Sequence, residues 1–213
     1  MDKDVRSRLM RLSAIPTMVT AVLFFGFGVT PWLLLPAGAP LLEWVKDPQW
    51  VMLNVAALVM ALLLPLTLVA LYAAQAESSG RVGLVSFVLA FLGSLLYLGV
   101  QFDETFVWPI LAKEAPSLLA IPGPMLSDPG FMGIYLAMGL AFILGWIVFG
   151  IMTYRARVLS RPGGALLAVG MAVFGAGNMV PIVVRGIGSV TASVALALLA
   201  RSLWDGRSQR GGG

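Results

Sequence analysis

The stretch Gln101-Phe102-Asp103-Glu104-Thr105-Phe106-Val107-Trp108-Pro109 puts two adjacent carboxylates directly after a run, 82–102, that carries no charge. On a helix Tyr97, Gln101, Glu104 and Trp108 fall on one face. A second polar pair, Asn178 and Arg185, shares a face further along the chain, with Pro181 between them. Desolvated charges need partners, so a Glu104–Arg185 or an Asp103–Arg185 pair is an expected contact. Gln101, Asp103, Glu104, Asn178 and Arg185 would then line a polar vestibule able to hold a headgroup or an ion. The simpler alternative is that the carboxylates end an apolar segment and Arg185 closes a turn, since charges at helix ends are cheap.

The chemistry open to these groups is narrow. The chain has neither histidine nor cysteine. That excludes thiolate nucleophiles, cysteine-ligated metals and iron–sulfur clusters, and it removes imidazole as ligand or acid–base partner. Asp103 and Glu104 are neighbours on one helix and point about 100° apart, so alone they cannot flank a substrate as an acid–base pair. Gly26-Phe27-Gly28 and Gly175-Ala176-Gly177 open like a dinucleotide fingerprint, but both lie within apolar runs, follow no strand and lack the third glycine. No lysine lies in an apolar run, which removes a retinal Schiff base and serine–lysine proteolysis. The expectation is a non-catalytic protein without cofactor or metal.

The elements that must position these residues are transmembrane helices. Apolar residues make up 59% of the 213 and charged residues 11%, more apolar surface than a soluble fold could bury. Six segments have roughly the twenty-residue length of a bilayer crossing: 12–35, 50–74, 82–101, 131–154, 164–184 and 187–203. The predicted fold is all-α, a single polytopic membrane domain built as a compact bundle of six helices in three hairpins, with a flexible polar tail over 205–213. Arg185-Gly186-Ile187-Gly188 is expected to form the tight turn between the fifth and sixth spans. The amino-terminal run and Ala37-Gly38-Ala39 superficially resemble a cleaved leader, but the apolar run is long for one and a proline follows, so it reads as the first span.

Charge sets the orientation. With the amino terminus inside, eleven Lys and Arg face the cytoplasm, and Lys46, Lys113 and Arg185 alone lie outside, so both termini are expected to be cytoplasmic. The basic rim meets anionic lipid headgroups rather than nucleic acid. Asp47-Pro48 and Asp128-Pro129 read as helix starts, an Asp cap followed by Pro at the first position. The loop 113–130 is apolar for an exposed segment, and its Leu118, Leu119, Ile121 and Met125 are expected to fold down as a lid. Small residues recur at i+4 as Gly133, Ala137, Ala141, Gly145; as Gly164, Ala168, Ala172, Ala176; as Ser86, Ala90, Ser94; and as Ser189, Ser193, Ala197. They mark helix contacts, or a homodimer face.

The ordered stretches Leu71–Glu77, Gly83–Phe87, Phe106–Ala112, Ala115–Leu119 and Leu144–Gly150 resemble those of a group of bacterial six-span membrane proteins with no assigned activity. The resemblance covers about the middle half of the chain and implies the bundle fold and a bacterial cytoplasmic membrane, without any chemistry. The functional expectation is an accessory component of that membrane that binds lipids, a second copy or a membrane protein partner. The alternative is a small transporter or channel with an outer vestibule, and a third reading is a lipid-modifying enzyme.

Overall fold

The computed structural model describes residues 3–35, 38–177 and 182–206. The described residues contain helices and no strand: α1 (Lys3–Leu34), α2 (Leu41–Lys46), α3 (Pro48–Phe102), a π-helical turn (Asp103–Val107), α4 (Trp108–Glu114), α5 (Pro129–Ala156), α6 (Arg161–Ala176) and α7 (Ile182–Trp204). Four stretches are long and apolar enough to cross a membrane: Arg8–Pro31, Pro48–Glu114, Pro129–Ala156 and Val183–Trp204. Arg161–Ala176 is a shorter apolar helix.

The caps form as the sequence predicts. The Asp47 carboxylate accepts from the Gln49 amide at 2.8 Å, and Asp128 accepts from Phe131 at 2.7 Å, each with Pro following. These bonds satisfy amides that a helix start leaves without partners.

The long helix α3 is not straight. Gly80 sits at φ 57°, ψ −156°, and the chain doubles back there: Tyr72 stacks on Phe87 with ring centroids 4.5 Å apart. Further out, Thr105 bonds the Asn54 carbonyl, and Trp50 stacks on Trp108. In each pair the two numbers lie almost symmetrically about 80, so the arms of α3 run antiparallel.

The core is apolar, but so is the surface, unlike that of a water-soluble bundle. Large aliphatics such as Leu62, Leu66, Val85, Leu92, Ile134 and Val169 face outward, whereas Thr17, Thr20, Thr67, Gln75, Ser86, Ser94, Ser189 and Ser193 are buried. This distribution suits a lipid surround, where small and hydroxylated residues mark helix–helix contacts. Ser193 donates to the Ala21 carbonyl at 2.6 Å and Ser189 to that of Phe24, joining α7 to α1. Thr20 and Thr67 meet at 3.1 Å, Gln75 donates to Thr153 at 2.9 Å, and the Trp146 indole donates to Ser94 at 2.9 Å.

The small-residue stripes meet with mixed outcomes. Ser86, Ala90 and Ser94 are buried, and Gly145 crosses Ala90 directly. Gly133, by contrast, faces open space, and Ala137 is exposed.

The expected turn at Arg185-Gly186-Ile187-Gly188 does not form; all four residues lie inside α7. Gly188 serves another purpose. A Cβ there would strike the Phe174 backbone, so this glycine lets α7 cross α6 closely. α6 ends at Ala176, and the connection therefore precedes Ile182; Asn178 and Pro181 lie outside the described residues, as do most of the expected tail residues.

A second, smaller core caps the end of the bundle that carries α2. Leu35, Val45, Trp50, Trp108, Ala112 and Leu119 are buried together there, with Met125 packed against them. Of the four loop residues expected to fold down, Leu119 is fully buried, while Ile121 points outward at 74% exposure.

Candidate functional site

The π-helical turn at 103–107 follows from Pro109. A proline offers no amide to the carbonyl four residues back, and its ring crowds that carbonyl, here Thr105. The helix widens by one residue, and the Trp108 amide reaches Asp103 rather than Glu104. The Glu104 carbonyl thereby loses its usual partner, and the next candidate amide is the one Pro109 lacks. The Trp50 indole takes that place, donating at 2.9 Å from the opposite arm of α3. Turns of this kind often accompany functional sites.

The Glu104 side chain is set by neutral donors. The Gln101 amide donates to one carboxylate oxygen at 3.0 Å, and the Tyr135 hydroxyl of α5 donates to the other at 3.1 Å. Tyr135 is held by ring stacking on Trp108, 6.1 Å between centroids, and on Phe131. Trp108 stacks in turn on Trp50, nearly parallel at 6.2 Å. Replacing Trp50 with Phe keeps much of this stack but leaves the Glu104 carbonyl without its donor. We expect Trp50→Phe to cost about 1–2 kcal/mol, readable as a lower unfolding midpoint in mixed micelles; an unchanged midpoint would remove Trp50 from the account of the turn.

Arg185 lies in the first turns of α7, with its guanidinium over the rings of Phe27 at 4.8 Å and Phe174 at 5.2 Å. Such contacts stabilise a cation where water is scarce. Among the described residues neither Arg185 nor Glu104 enters an ion pair. Both nevertheless line one cavity of about 460 Å³. Its walls come from α1, α2, the first arm of α3, the π-helical turn, the start of α4 and α7, and are mostly apolar, with Thr30, Asn54, Glu104 and Arg185 as the polar exceptions. Val22 and Met52, also in its lining, are 64% and 59% exposed, so the cavity opens sideways between α1 and α3.

Comparison with protein-family models, curated proteins and solved structures yields no match. The site therefore stands on its own geometry.

Of the residues singled out from the sequence, Glu104 and Arg185 share the cavity wall without touching. Gln101 is buried behind Glu104 and orients it. Asp103 points elsewhere, accepting from the Trp108 indole at 3.1 Å. Asn178 falls outside the described residues. Residues the spacing argument left out are Trp50, Tyr135, Phe27 and Phe174, which belong to other helices. The one sequence signal for Trp50 is its mirror position to Trp108 about Gly80. For the aromatic pair under Arg185 we find no local signal.

Proposed function

We propose that this chain is a six-span integral protein of the bacterial cytoplasmic membrane, with both termini cytoplasmic, that holds one amphiphile non-catalytically in the cavity beside Glu104 and Arg185. The observation that carries this reading is a laterally open, mainly apolar cavity whose few polar lining groups include the opposite charges of Glu104 and Arg185. Binding sites for small molecules have this composition and fall in this size range. At the helical rise the lining from Leu35 to Val22 extends about 20 Å down α1, about two thirds of a hydrocarbon core of about 30 Å. That suits an acyl chain entering from the outer leaflet.

Six crossings rest on two features. A straight helix of 67 residues, the length of Pro48–Glu114, would run about 100 Å, so the reversal at Gly80 supports two crossings there. The 16 residues of α6 give about 24 Å, which supports one short crossing. The excess of Lys and Arg at one end of the bundle supports the orientation. Against a conduit, the turns of α3 beyond Ala57 bury Met60, Ala61 and Leu64, which share one apolar core with Phe24 of α1. This favours a binding component over a transporter.

Gly26 offers a clean test. It lines the cavity, and a Cβ there would meet nothing within 4 Å. A side chain can therefore start at this position without its Cβ striking any neighbour, and phenylalanine adds bulk at the cavity wall. We expect Gly26→Phe to fold normally and to lower the lipid-sized mass retained in native mass spectrometry at least tenfold. Retention equal to wild type would overturn the reading.

A further inference from the structure

Resting on that reading of the cavity, we infer that its occupant is a zwitterionic phospholipid, with the headgroup ammonium between Glu104 and the tryptophan wall and the phosphate on Arg185. Two opposite charges face one cavity and leave each other unpaired among the described residues. Each instead keeps neutral company. The carboxylate receives Gln101 and Tyr135, which uses two of about four acceptor positions. The remaining positions suit an ammonium.

The surroundings differ at the two charges. Near Glu104 the lining includes Trp44 and the Trp50–Trp108 stack; Trp108 is covered by Trp50 and Tyr135, so the rings of Trp44 and Trp50 are the ones that can attract an ammonium group. Around Arg185 the rings of Phe27 and Phe174 cover the guanidinium face. A guanidinium held by its face keeps edge donors for a phosphate, the anion whose geometry it matches. A purely anionic headgroup would bring a negative charge toward Glu104. A purely cationic one would leave Arg185 without a counterion. An ammonium–phosphate headgroup satisfies both, and the lateral opening beside Val22 and Met52 admits its chain from the bilayer.

The full-length protein in mild detergent, titrated with dioleoyl phosphatidylethanolamine and separately with dioleoyl phosphatidylglycerol, gives the test by native mass spectrometry. We expect phosphatidylethanolamine to be retained about tenfold more than phosphatidylglycerol. Glu104→Gln removes one charge-assisted hydrogen bond and should lower that ratio about tenfold, with phosphatidylglycerol retained as before. Trp44→Leu, which keeps apolar bulk at α2, should lower it about threefold and serves if Glu104→Gln fails to fold. A wild-type ratio near one overturns the inference, as does a ratio that neither variant moves. Soluble phosphoethanolamine should give no adduct at the same concentration; binding equal to that of the lipid would overturn a membrane source. The two levels of the argument separate cleanly. If Gly26→Phe releases both lipids but their ratio is one, the cavity reading survives and the headgroup assignment falls. If Gly26→Phe releases neither, the cavity reading itself falls.

Discussion

Gly145→Leu is expected to cost at least about 3 kcal/mol of stability, the upper end of what overpacking a tight interior contact usually costs. Gly145 of α5 lies against the second arm of α3 so closely that a Cβ would come within 2.6 Å of Ala90 Cα and 2.8 Å of its amide nitrogen. The opposing helix repeats the device one turn on, where a Cβ on Gly93 would come 2.5 Å from the Ala141 carbonyl oxygen. These contacts are backbone against backbone, so no side-chain rotation relieves them. The neighbouring Trp146–Ser94 hydrogen bond and the Tyr97–Phe142 stack, at 4.2 Å between centroids, depend on the same approach. Unfolding in mixed micelles measures the effect, with Gly133→Ala as a control because Gly133 faces open space. A Gly145→Leu midpoint matching the control would mean that α3 and α5 do not cross at this point.

What could be read from the residues divides along the range of the forces involved. The Asp-Pro helix starts were legible because a cap is settled within three residues. The shared face of Gln101, Glu104 and Trp108 was legible because helical periodicity is local, and the Gln101–Glu104 bond follows from it. Arg185 was misplaced for the same reason: Arg-Gly-Ile-Gly has the local composition of a turn. The packing of α6 against Gly188, a contact across 14 residues (Phe174 to Gly188), outweighs that preference and keeps the segment helical. The site itself is assembled by contacts of still longer range. Trp50 reaches Glu104 across 54 residues, and Tyr135 reaches it across 31. Nothing in a local window encodes the register of two antiparallel arms, although the arms must match about whatever residue reverses the chain. Pro109 was visible, but its consequence, a widened turn completed by a distant indole, required knowing which helix lies opposite.

That reversing residue carries the second large effect, through a different physical cause. Gly80 has open space around it, and a Cβ would meet nothing within 4 Å. Its constraint is the backbone, since φ 57° with ψ −156° lies in a region reached almost only by glycine. Gly80→Val is therefore expected to cost about 3 kcal/mol, a β-branched side chain being the worst fit to positive φ. Asparagine should not rescue it, because asparagine favours the left-handed helical region, where ψ is positive. The loss would not stay at the turn. Tyr72 on Phe87, Asn54 on Thr105 and Trp50 on Glu104 all require the arms to lie side by side, so the wall of the cavity loosens with them. A chain without cysteine allows the reversal to be read directly. Single cysteines at Ser78 and Ser117 should label from opposite faces of the membrane in the parent chain. In Gly80→Val that separation should weaken together with retention of lipid. Wild-type labelling and wild-type retention in the variant would show that the reversal does not depend on glycine, and the antiparallel register would need another cause.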